Sequence, residues 1–161
     1  MISTLLKIFL IGTFAFVFWQ DSKDRLVYWF LYPFIGVLGF AIQALMTTKY
    51  LAAINAIINL CFIFTLLTVG YLYSRFVMRR DFINGTMGLG DILLFIFLCF
   101  TFSIVPFMIL LVFSMIFSLL LHQYFKNKSE HKNVPLAGYI SIFYAAIYFV
   151  SFFLEPKYLF A

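Results

Sequence analysis

With 161 residues, 65% of them hydrophobic and 11% charged, and a mean hydropathy of +1.08, this chain has too few polar groups to cover a water-facing surface; soluble domains carry about 25% charged residues. Lipid is the expected solvent, and the chain reads as an all-α polytopic membrane protein in which residues 1–161 form a single membrane-embedded domain with no soluble one. The net charge of +5 comes from basic residues scattered through short loops, which argues against a nucleic-acid surface and makes these charges topology signals.

A spanning helix needs about 20 apolar residues. The first candidate runs from Ile2 to Gln20, interrupted only by Lys7. No small-x-small cleavage site precedes Asp21, so the segment is expected to be a retained span rather than a signal peptide. The second covers about Leu26 to Met46 and the third Leu51 to Ser74. From Ile92 to Phe125 the chain has no Asp, Glu, Lys or Arg over 34 residues (125 − 92 + 1). As one helix this run would be about 51 Å long, against a hydrocarbon core of about 30 Å. Pro106 lies near its middle, and a residue before proline resists the helical conformation. The run is therefore divided into a short span, Asp91 to Ser103, and a full one, Phe107 to Phe125. Pro135 to Leu154 supplies a sixth span, and no internal repeat is visible.

Six spans have a testable orientation. With the N-terminus outside, the cytoplasmic loops hold Lys23, Arg25, Arg75, Arg79, Arg80, Lys126, Lys128 and Lys132, whereas the other side holds Lys7, Lys49 and Lys157. The positive-inside rule then places both termini outside and both Asp21 and Asp91 at cytoplasmic helix ends.

Of the six acidic residues, Glu130 sits in a hydrophilic loop, Glu155 precedes Pro156, Asp81 follows Arg79 and Arg80, and Asp24 lies between Lys23 and Arg25. Asp21 and Asp91 differ, because each adjoins an apolar segment directly. A carboxylate at the edge of hydrocarbon is costly and marks a candidate functional site. Asp91 also closes Gly88-Leu89-Gly90-Asp91, where Gly88 and Gly90 let the backbone bend and approach a ligand. One reading makes both residues helix-end caps, which suits Asp91 at a helix start better than Asp21 at a helix end. The other makes them an aspartyl pair, with one carboxylate drawing a proton from water while its protonated partner holds the scissile carbonyl.

The remaining chemistry-bearing residues have plainer readings. Cys61 and Cys99 lie in apolar runs without a C-x-x-C spacing, and His122 and His131 are isolated, so neither a metal nor a cofactor is expected. Asn55 and Asn59, at i and i+4, read as interhelical hydrogen-bonding groups more readily than as a transport pathway. Trp19, Tyr28, Trp29 and Tyr32 cluster near the first loop, where an interfacial aromatic belt is expected.

On three segments the chain resembles the type IV prepilin peptidases, the aspartic GxGD membrane proteases that process prepilins and archaeal preflagellins. They are Asp21-Ser22-Lys23-Asp24-Arg25-Leu26-Val27, Gly88-Leu89-Gly90-Asp91, and Val134-Pro135-Leu136-Ala137-Gly138-Tyr139, which is similar to the segment opening the family's last helix. The resemblance implies that Asp21 and Asp91 are the catalytic pair, that Gly88, Gly90 and Pro135 shape the site, and that the substrates are prepilin-like proteins with an apolar N-terminal helix, cut at the cytoplasmic face of the inner membrane. The chain departs from the family at Tyr28, often Pro, and at Leu93, often Lys. Only about 20 residues precede Asp21 and no cysteine cluster is present, so a peptidase-only form without methyltransferase is expected. A small transporter or channel, a non-catalytic assembly subunit, and an aspartyl membrane protease with another substrate are the alternatives.

Overall fold

The structure, a computed structural model, describes residues 2–23, 26–79, 87–125 and 136–160. The regular elements of these residues are helical: α1 (Ile2–Lys23), α2 (Leu31–Met46), α3 (Lys49–Tyr73), α4 (Leu89–Leu98), α5 (Ile104–Phe125), α6 (Leu136–Val150) and a terminal turn α7 (Lys157–Phe160). Among the described residues, three helices are long and apolar enough to cross a membrane: α1, α3 with its π-helical extension Ser74–Met78, and α5 to Tyr124. The helices α2, α4 and α6 have 16, 10 and 15 residues, shorter than a full crossing requires. Large apolar side chains point outward all around the bundle, among them Phe9, Val37, Ile57, Phe113 and Leu119. Such a surface is at home in hydrocarbon, not water.

The helices assemble because each carries one buried stripe. On α1 the buried residues Lys7, Leu10, Phe14, Val17 and Asp21 recur at intervals of three and four, the repeat of one helical face. This stripe packs along α6, the most extensive helix pairing in the bundle, and also meets α2. The pairing is antiparallel: Asp21 meets Gly138 at the start of α6, and the Lys7 Nζ donates to the Ser151 carbonyl, 3.1 Å away, just past its end. Lys7, counted as an outside loop charge from the sequence, is thus buried, with Phe152 and Phe160 rings beside its ammonium. A cation at a helix C-terminus and an anion at its N-terminus both complement the α6 dipole. Phe14, Tyr144, Tyr148, Phe102 and Phe160 stack at the centre with ring centroids 4.9 to 6.1 Å apart.

The long apolar run breaks where its backbone finds partners, not at its proline. The helix α4 stops at Leu98, and Cys99, Phe100 and Thr101 make tightened turns. Pro106 falls inside the first turn of α5, where its missing N–H costs nothing. The carbonyls freed at the break are satisfied from elsewhere in the bundle. Asn59 Nδ2 donates to the Cys99 and Phe102 carbonyls, each at 3.1 Å, and the Tyr148 hydroxyl donates to the Thr101 carbonyl. Ser103 N–H donates to the Leu159 carbonyl, tying α7 to the same place. Irregular backbone at membrane depth survives only when it is buried and paired in this way. Cys99 is buried at this break and Cys61 is exposed on the outer face of α3.

Close packing brings α4 against α2. A Cβ on Gly36 would stand 2.7 Å from the Phe97 ring, and one on Gly39 would stand 3.1 Å from the Thr101 Cα. The consequence is positional: the N-terminal end of α4, with Asp91, is held at the same level as the start of α2 and the end of α1.

Candidate active site: two carboxylates on the first turn of a helix

Asp21 lies in the last turn of α1, a place where the helix dipole disfavours an acid. A donor for it comes from α6. Gly138 N–H donates to Asp21 Oδ2 at 2.6 Å, with the carboxylate buried. Gly138 is required by the closeness of this approach, since a Cβ there would stand 3.0 Å from Oδ2 and 3.1 Å from the Asp21 Cβ.

Asp91 enters from the opposite side of the bundle, at the third position of α4. Its Oδ2 accepts from the Gly88 N–H at 3.3 Å, reaching back over its own helix start. The backbone amide of Ala137 lies beside it, so the first turn of α6 faces both carboxylates. Asp21 and Asp91 are close enough to act electrostatically on each other. Two residues 70 positions apart (91 − 21) come together at the start of a third helix, whose first N–H groups lack intrahelical partners.

The helix-cap reading from the sequence takes an unexpected form here. Asp91 does cap its own helix, and Asp21 caps α6 rather than the helix that carries it. Of the other expected site residues, Gly88 sits so that a Cβ would stand 3.0 Å from Asp91 Oδ2, and a Cβ on Gly90 would stand 2.7 Å from the Tyr32 hydroxyl. Pro135 and the alternative acid Asp24 lie outside the described residues.

Tyr32 is the residue that sequence reasoning misplaced. Tyr28, Trp29 and Trp19 are more than half exposed, as members of an interfacial belt would be, but Tyr32 is 1% exposed. Its phenol lies on Gly90 and within electrostatic reach of both Asp21 and Asp91. The available signal was its phase: Tyr32 and Ile35 start the buried face of α2, whereas Tyr28 and Trp29 precede that helix.

Half-buried Asp91 and exposed Gly88 and Leu89 leave one side of the pair accessible. The Gly88 and Gly138 groups aimed at the carboxylates are N–H donors, which favour anionic oxygen over a cation. Among the described residues, no group of three or more His, Cys, Asp or Glu side chains is assembled. An apolar groove of about 910 Å³ runs between α1 and α2, past Phe9, Gly12, Phe16, Phe30 and Phe34, and its lining includes neither aspartate. No family model, curated protein or solved structure matches the chain.

Proposed function

We propose that the protein is an intramembrane aspartic endopeptidase that removes the leader of type IV prepilin-like substrates at the cytoplasmic face of the membrane. The observation that carries this reading is the meeting of Asp21 and Asp91, within electrostatic reach of each other, at the start of α6, where Gly138 N–H donates to Asp21. The pair combines with the Gly88-Leu89-Gly90-Asp91 sequence and its access from one side. The six apolar segments are taken as six crossings with both termini outside.

In the proposed mechanism the pair shares one proton, because neighbouring carboxylates do not both ionise readily. The ionised member takes a proton from a water, and that water forms a bond to the scissile carbonyl carbon. The protonated member donates to the carbonyl oxygen as negative charge develops there. Collapse of the tetrahedral species breaks the C–N bond, and the departing amine takes up the proton that the first carboxylate gained. The amides of Gly138 and Gly88 hold Asp21 and Asp91 in place throughout, which is the positioning contribution to rate. Neither a metal nor an organic cofactor enters this scheme.

A substrate with an apolar helix suits the same site. The groove between α1 and α2 is formed by the two helices that carry Asp21 and Tyr32, so a helix lying in it would deliver its cytoplasmic end to the pair. Co-expression with prepilin-like candidates tests the reading. Mass spectrometry should locate a cut between the basic leader and the apolar helix. A folded protein that cuts none of them would favour the assembly-subunit reading, in which the two acids serve only to clamp α1, α4 and α6 together.

A further inference from the structure

We infer that Tyr32 is a positioning residue of the aspartate pair, its hydroxyl donating to the carboxylates from α2 and setting which of their protonation states is held. The inference rests on the reading of Asp21 and Asp91 as a working pair. Backbone amides donate to both acids: Gly88 to Asp91 and Gly138 to Asp21. These two donors lie at the start of α4 and on α6. The Tyr32 phenol is the one described side chain that approaches from α2, and it does so at 1% exposure. Its oxygen sits where a Cβ of Gly90 would be 2.7 Å away, so it touches the backbone immediately before Asp91.

Placement and chemistry agree. An ionised carboxylate only accepts hydrogen bonds, and a phenol is a donor that keeps its proton at neutral pH. The Tyr32 phenol is within electrostatic reach of an acid on α1 and an acid on α4, and O–H···O⁻ bonds are among the strongest a side chain makes. The absence of a side chain at Gly90 then has a specific use, because it admits the hydroxyl. The titratable groups facing one another are Asp21 on α1, Tyr32 on α2 and Asp91 on α4, while α6 contributes backbone N–H groups.

The test separates this inference from the peptidase reading. Infrared spectroscopy of the purified full chain follows the protonated-carboxyl stretch through a pH titration, with Asp21→Asn and Asp91→Asn assigning the band. Tyr32→Phe removes only the hydroxyl and should raise the titration midpoint by about one pH unit, as loss of a hydrogen bond to a charged group predicts. Gly90→Ala, which displaces the hydroxyl without deleting it, should move the midpoint the same way and carries the test should Tyr32→Phe not fold. Where leader cleavage is measurable, Tyr32→Phe should lower kcat by roughly tenfold or more at unchanged KM. Midpoints matching the intact protein in both variants would overturn the role of Tyr32. A shifted midpoint in a protein that cuts no substrate would sustain it and overturn the peptidase instead.

Discussion

At the residue scale the site brings two carboxylates together, and a backbone amide donates to each, Gly138 to Asp21 and Gly88 to Asp91. Gly138→Ala tests it most sharply, because the added methyl meets Asp21 at 3.0 to 3.1 Å. Cleavage should fall by about 100-fold, the scale expected for misplacing a catalytic group by about an ångström, with little change in expression or helicity. Unchanged turnover would show that the Gly138 contact has no part in the reaction. The pair also predicts a bell-shaped pH–rate profile. Activity disappears at low pH, when both carboxyls are protonated, and at high pH, when both are ionised, and each limb belongs to the pair rather than to one residue. A profile with a single limb would argue against a shared proton. The two acids were legible in the sequence, since so few carboxylates adjoin apolar runs. Their amide partners were not, because a backbone N–H has no sequence signature beyond the glycine at 138. Tyr32 was hidden for another reason: its aromatic neighbours at 28 and 29 do point outward, and composition alone cannot separate them.

At the element scale, hydrogen bonds across the bundle decide where helices stop. Proline chemistry alone placed the break of the long apolar run at Pro106, but a proline in the first turn of a helix removes no bond. The break falls at Cys99 to Ser103, where Asn59, Tyr148 and Leu159 supply partners for freed backbone groups. Asn59 was correctly suspected as a hydrogen-bonding residue, though its partners are carbonyls of a broken helix, which sequence cannot locate. Replacing it with Leu leaves two buried carbonyls unpaired and should cost about 2–4 kcal/mol. A clearly lowered thermal midpoint in detergent would bear this out, and a midpoint equal to that of the intact protein would refute it. The α1–α6 pairing has a similar logic. Lys7 and Asp21 end one stripe 14 residues apart (21 − 7), about 21 Å along α1, matching the length of α6. They place opposite charges at its two ends, an arrangement visible only once the partner helix is known.

At the scale of the whole molecule, the all-helical, lipid-suited architecture was evident from composition, whereas the completeness of each crossing was not. Apolar windows show where a chain tolerates lipid, but the lengths of α2, α4 and α6 are set by internal packing. The groove between α1 and α2 offers a handle on substrate binding that leaves the aspartates untouched. A Cβ added at Gly12 meets no heavy atom within 4 Å, and Gly12 lines the groove, so Gly12→Leu directs its side chain into that space. It should raise KM for a helical substrate by about tenfold, the worth of an altered apolar pocket, and leave kcat and thermal stability in place. An unaltered KM would place the substrate helix elsewhere.

The central claim, that Asp21 and Asp91 form one catalytic pair, is tested most directly by co-expressing prepilin-like substrates with the intact protein, Asp21→Asn, Asp91→Asn and, as control, Asp24→Asn. Each pair variant keeps an oxygen that can accept the α6 amides, so both should fold, and each alone should lose cleavage by at least about 1,000-fold, as expected for groups acting as a unit. The control should cut as the intact protein does. Cleavage that survives in either pair variant would contradict the account.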